Sequence, residues 1–187
     1  MGQRELLLFI AQLLDKYKIP YLLTGSFAVS YYGFPRATHD IDFVVEISSK
    51  KYSNLEQALI NLDKSYIVDL DDIKKAITEL STFNILHLDS GIKIDFWPAG
   101  QDDFELSKFE RGKKITLFKN KIRIISPEDL ILTKLFWCKE IISERHRGDC
   151  IGIWKVRGGK LDKKYLAKWA KKLKIEELLQ EISTANY

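Results

Sequence analysis

The stretch Asp40-Ile41-Asp42-Phe43-Val44-Val45 decides how this chain is read. Alternate residues of a strand share a face, so Asp40 and Asp42 project together while Ile41, Phe43 and Val45 turn the other way. An apolar run of this kind belongs inside a sheet. Two carboxylates at its head repel one another and lose hydration on burial. Two settings relieve that conflict. One is an exposed strand end, where the pair costs little; the other is a hard divalent cation, Mg²⁺ or Mn²⁺, which takes oxygen ligands.

A third carboxylate lies downstream. In Ile92-Lys93-Ile94-Asp95-Phe96-Trp97, Ile94 and Phe96 share one face and Asp95 projects from the other with Lys93 and Trp97. Aspartate is depleted inside strands, so Asp95 is either an edge-strand charge or a working group. Placed beside Asp40–Val45, this strand would bring three carboxylates together, enough to hold two metal ions for an in-line phosphoryl or nucleotidyl displacement. Asp89-Ser90-Gly91 joins it to the strand Phe83–Leu88 with a hairpin signal.

Upstream, Thr24-Gly25-Ser26 sits where the short strand Tyr21–Thr24 feeds a helix, Phe27–Tyr32, stopped by Gly33 and Pro35. Glycine permits close backbone approach, and free N–H groups at a helix start attract phosphate. Thirteen residues separate Ser26 from Asp40. The remaining periodicity predicts a helix over Glu5–Tyr17, another over Ser53–Leu62, and a polar, partly helical connection through Leu80. It also predicts a strand pair, Ile115–Phe118 with Ile122–Ile125. At Ser126-Pro127-Glu128-Asp129 the pattern turns wholly helical: Ser126 as N-cap, Pro127 in the first helical position, two acidic residues at the positive helix end. Helices are expected near 127–143, 147–155, 162–173 and 175–183. The expectation is an α/β (α+β) fold, a mixed sheet flanked by helices, with a core over 1–125 and a helical appendage over 126–187.

Composition bounds the function classes. The 187 residues are 45% hydrophobic and 30% charged, with 10 Gly and 4 Pro, which excludes disordered and collagen-like chains. The net charge is only +4, but residues 134–174 carry 13 basic and 4 acidic side chains. That stretch is either a solvated helical face or a surface for a polyanion such as an RNA acceptor. Cys138 and Cys150 read as buried reduced thiols. The apolar run Leu6–Leu14 is interrupted by Gln12 and flanked by charge, so neither a signal peptide nor a membrane span is expected, and the location read from this is cytoplasmic.

The ordered set Gly25-Ser26, Asp40-Ile41-Asp42 and Asp95 resembles the polymerase-beta-like nucleotidyltransferase superfamily. Pro35-Arg36-Ala37-Thr38-His39-Asp40-Ile41-Asp42 is similar to the Arg-x-Thr-x-Asp-Ile-Asp lead-in of its small bacterial and archaeal members. Ser126–Lys134, Ser143-Glu144-Arg145 with Asp149, Leu161-Asp162 and Tyr165–Ala170 resemble the DUF6036-type branch, akin to the AbiEii toxins. The resemblance implies a metal-dependent enzyme moving an NMP group from an NTP to a hydroxyl, on an RNA end, a protein side chain or a small molecule. Asp40, Asp42 and Asp95 would hold Mg²⁺ or Mn²⁺, and Asp95 would help deprotonate the acceptor. Gly25 and Ser26 would grip the β,γ-phosphates. A partner protein of toxin–antitoxin type is also implied.

Four further residues follow. Lys134 interrupts the apolar stripe of Leu130, Trp137 and Ile141, where lysine is rare unless paired or lining a cleft; the resemblance suggests a triphosphate contact. Asp149 would orient Lys134, contact the nucleotide or serve its helix N-terminus. Arg36 would steady its loop or touch phosphate, and His146 lies in the basic cluster. The superfamily pattern calls for an arginine just before Asp149, where this chain has Gly148, with Arg145 and Arg147 nearby. Two rivals stand beside this reading. One is a non-catalytic module of the same fold, acting as an antitoxin or nucleic-acid-binding partner. The other is an Asp-x-Asp phosphatase of haloacid dehalogenase type, disfavoured because Phe34–His39 is no apolar strand.

Overall fold

A computed structural model describes residues 1–47 and 49–185; positions 186 and 187, at the end of the expected appendage, lie outside the described residues. The strands are β1 (Tyr21–Leu23), β2 (Asp40–Val45), β3 (Tyr66–Ile67), β4 (Phe83–His87), β5 (Ile92–Pro98), β6 (Lys113–Leu117) and β7 (Asn120–Ile124). They form one mixed seven-stranded sheet in the order β3-β4-β5-β2-β1-β7-β6. The pairs β2–β5 and β1–β7 are parallel and the others antiparallel. The helices are α1 (Gln3–Lys16), α2 (Gly25–Tyr32), α3 (Ser49–Ile60), α4 (Leu70–Glu79), α5 (Asp103–Arg111), α6 (Pro127–Glu140), α7 (Glu144–Arg157), α8 (Lys163–Leu173) and α9 (Glu176–Thr184).

Sheet alternation sorts the central strands into two chemistries. On one face Tyr21, Phe43, Phe96 and Phe83 meet ring to ring, with Ile41, Ile85 and Ile94 fully buried among them. Helix α1 covers this side, its Phe9 stacked on Tyr66, and α3 joins it. The other face of β2 and β5 carries Asp40, Asp42, Lys93, Asp95 and Trp97, and it is met by α6 through the Trp97–Trp137 contact. Burial on one side fixes the register, since a one-residue slip would drive the carboxylates into the aromatic core.

The C-terminal helices begin where capping chemistry places them. Ser126 accepts a hydrogen bond from the Asp129 N–H at 3.1 Å and donates to the Asp129 carboxylate at 2.5 Å, with Pro127 opening α6. Helices α6 and α7 pack on α2, and one continuous apolar core includes residues of both the sheet and the last four helices. Helix α6 ends at Glu140, earlier than its periodicity suggests, and α7 starts at Glu144, where Ser143 caps the His146 N–H. Helix α5 has no counterpart among the expected elements: its polar sequence buries only Phe104 and Lys108 deeply, with Asp102 capping its first turn. Cys138 and Cys150 are buried and unpaired. Among the described residues no helix is long and apolar enough to cross a membrane.

Candidate active site

Strand β1 hands the chain to α2 through Gly25, whose φ of +58° lies in the left-handed region. The Thr24 N–H donates to the Asp42 carbonyl at 2.9 Å, so the turn is tied to the strand bearing the carboxylates. A Cβ at residue 25 would overlap the Asp42 carboxyl group, so both conformation and space require glycine. Thr24 is the N-cap of α2 but gives no side-chain cap, which leaves the first-turn N–H groups for whatever occupies the cleft lined by Thr24, Gly25 and Ser26.

Parallel pairing sets Asp42 directly opposite Asp95 and Asp40 opposite Lys93. In-register neighbours share a face, so Asp40, Asp42 and Asp95 lie on one side of adjacent strands. Burial raises the Asp42 pKa above the usual carboxylate range, and the charges of Asp95 and Asp40 add to it. The Trp97 indole N–H and, to a smaller extent, Lys134 pull the other way, the indole without a full hydrogen bond to any acceptor. Asp95 is only 8% exposed and turns one oxygen to Lys93 Nζ at 3.0 Å. Among the described residues no three acidic, His or Cys side chains enclose a ready-made ion site. The donor set nevertheless fits a hard divalent cation: burial and the neighbouring carboxylates raise Asp42, and such an ion offsets both.

Across the cleft stands a cationic bridge. Asp149 on α7 accepts two hydrogen bonds from the Arg36 guanidinium, at 2.9 and 3.1 Å, and one oxygen also meets Lys134 Nζ at 3.0 Å. Burial alone would raise the Asp149 pKa, but Arg36 and Lys134 hold it below the usual range. Lys134 is 3% exposed and faces the cleft with Arg36. Three charges thus leave one net positive charge opposite the carboxylates. The arginine serving Asp149 comes from the loop before β2. Arg147 instead pairs with Glu144 and Glu181, and Arg145 lines the cleft.

The cleft has a volume of about 570 Å³ and brings together Gly25, Ser26, Arg36, Asp40, Asp42 and Lys134. Asp149 backs its cationic wall, and Asp95 stands one strand over from Asp42. Sequence reasoning missed the aromatic wall: Trp97 contacts Trp137 at 5.1 Å between centroids, and Trp137 contacts His146 at 5.5 Å. Burial lowers the His146 pKa, helped by Lys134, Arg145 and Arg36 against Asp149. The available signal was the helical spacing of Trp137 from Lys134. Thr24, Trp97 and Trp137 also border a second cavity of about 280 Å³, which reaches Asp102, Glu105 and Lys108.

The fold is one shared with solved structures described as nucleotidyltransferases. No protein-family model and no curated protein sequence matches the chain. Solved structures do. A crystal structure of ANT(2″)-Ia in complex with adenylyl-2″-tobramycin matches at a TM-score of 0.64 and 16% identity, over 95% of this chain and 99% of that one. The lincosamide antibiotic adenylyltransferase LnuA, with lincomycin bound, matches at 0.55 and 18%, over 83% and 98%. An antigenic nucleotidyltransferase-like protein from Paracoccidioides brasiliensis matches at 0.55 and 15%, over 96% and 91%.

Proposed function

We propose that this chain is a nucleotidyltransferase that moves an NMP group from an NTP to a hydroxyl acceptor and releases pyrophosphate. The observation that carries the reading is the uncapped, glycine-opened start of α2 set against Asp42, with Asp40 and Asp95 on the same sheet face. Asp40 and Asp42, with Asp95 beside them, would hold Mg²⁺ or Mn²⁺, which when bound supplies charge neutralisation to the triphosphate oxygens. The α2 N–H groups and Ser26 receive the β,γ-phosphates. Lys134 and Arg36, anchored by Asp149, add positive charge along the leaving pyrophosphate. The acceptor oxygen bonds to the α-phosphorus as the bond to the β-phosphate oxygen breaks, and Asp95 takes the hydroxyl proton.

The cavity behind Trp97 and Trp137 favours a small acceptor held beside the nucleotide. Small molecules are also what the ANT(2″)-Ia and LnuA structures hold. An RNA end is the second reading, favoured by the exposed lysines of α8, among them Lys163, Lys164, Lys168 and Lys171. Within the superfamily, the second-half motifs from Ser126 to Ala170 favour the DUF6036-type branch. The test is label transfer from each α-³²P-NTP with Mg²⁺, offered a small-molecule extract and total RNA separately. Asp40→Asn combined with Asp42→Asn should abolish transfer with the fold intact; transfer persisting in that variant overturns the proposal.

A further inference from the structure

Lys93 is a cation inside the carboxylate cluster. It lies opposite Asp40 in the β2–β5 register, and its ammonium sits 3.0 Å from Asp95 Oδ2. The two ends of this ion pair differ: the Lys93 side chain is 45% exposed, that of Asp95 only 11%. An ordinary surface pair would add little. Here the carboxylate is nearly buried beside Asp42, so the lysine supplies countercharge that solvent does not. Asp40 and Asp42 also act on Lys93, whose pKa is raised chiefly by its hydrogen bond to Asp95.

Two-metal sites place their ions about 3.5–4 Å apart, each about 2.1 Å from its oxygens in the case of magnesium. The Lys93 ammonium stands where a second ion would approach Asp95 Oδ2, and a divalent ion there would have to expel it against mutual repulsion. Building on the nucleotidyltransferase reading, we infer that Lys93 takes the place of one cation at Asp95, so that the chain holds a single divalent ion with its nucleotide rather than two. Lys93 is then a positioning residue: it holds one Asp95 oxygen and leaves the other outside that ion pair.

The test counts Mn²⁺ by electron paramagnetic resonance on the full chain, with α,β-methylene analogues of the four NTPs tried in turn. The native protein and Lys93→Arg should hold one tight ion. Lys93→Met, neutral and of similar length, should hold two, the second at least about tenfold tighter than any second ion in the native chain. Circular dichroism verifies the fold, which an exposed strand position should retain. Two equal ions in the native protein, or one ion in Lys93→Met, overturn the inference while the nucleotidyltransferase reading stands. No ion held by the native protein beyond that on free nucleotide, as in Asp40→Asn with Asp42→Asn, overturns both.

Discussion

Gly25 rests directly on the Asp42 carboxyl group, with no room for a side chain between them. The turn that offers N–H groups and the strand that offers carboxylates are thereby fixed relative to each other, whatever binds between them. Gly25→Ala forces an alanine into a positive-φ position and pushes Asp42 aside. A cost of about 1–3 kcal/mol is expected in urea denaturation. Nucleotide binding should fall further than that stability loss explains, as read by calorimetric titration.

Asp42 is held in a strained electrostatic setting, and its removal should show this. A carboxyl group whose pKa is raised in the folded state weakens stability as pH rises from the ordinary Asp range through the folded value, and the full cost remains above it. Asp42→Asn should therefore raise Tm at pH 7 by about 2–4 °C, and the gain should vanish under acid conditions. Adding Mg²⁺ with nucleotide should narrow the gap by stabilising only the native protein. A variant that is no more stable than the native chain at pH 7 contradicts this account.

Local chemistry made much of this site readable in advance. The alternation of Asp40 to Val45 and the glycine after β1 needed only neighbouring residues, and Ser126-Pro127 announced α6 through its cap. What escaped was set by distant contacts. The arginine that holds Asp149 lies 113 residues away. Trp97 and Trp137 meet across two elements, and neither element's pattern by itself pairs them. Helix α5 carries Asp102 as cap, acidic residues in its first turn and Lys108 and Arg111 in its last, but its thin apolar content concealed it. Strand alternation puts Lys93 on the face of Asp95, but only the β2–β5 register sets it opposite Asp40.

The bridge of Arg36, Asp149 and Lys134 should respond asymmetrically to substitution. Asp149→Ala leaves two cations facing each other, one of them buried, and should cost about 3–5 kcal/mol. Lys134→Met leaves Asp149 with its bidentate arginine and should cost less. In the double variant Lys134→Met with Asp149→Ala, much of the Asp149 penalty should disappear, a coupling read from a denaturation cycle. Because the Asp149 pKa is lowered, its stabilising contribution is complete above the ordinary Asp range and is lost as pH falls through that range to the folded value.

The aromatic wall is expected to act in binding. Trp137→Ala removes the ring between Trp97 and His146 and should weaken the nucleotide or its acceptor by about 1–3 kcal/mol, the usual worth of an aromatic platform under a base. Trp137→Phe should restore most of that. Equal KM values for the native protein and Trp137→Ala, for both substrates, would show that the wall only packs.

Tyr165 of α8 makes the opposite case, because it is engaged in holding α5, α6 and α8 together. The Tyr165 hydroxyl donates to Asp129 Oδ1 at 2.6 Å and lies 2.9 Å from Ser107 Oγ, while Arg111 stacks on its ring at 3.8 Å. Arg111 also pairs with Glu128 at 3.0 Å, and Glu128 accepts the Asp162 N–H at 3.0 Å. Burial raises the Asp129 pKa despite its bonds from Ser126 and Tyr165. Tyr165→Phe withdraws one charged hydrogen bond and should cost about 1.5–3 kcal/mol at pH 7. The loss should shrink as the pH is lowered and Asp129 takes up a proton, because the neutral carboxyl needs that donor less. Nucleotide affinity should stay unchanged in Tyr165→Phe, since these residues lie outside the cleft of Gly25, Asp42 and Lys134. A variant that kept full stability but lost nucleotide or RNA binding would move Tyr165 from the scaffold to the substrate surface.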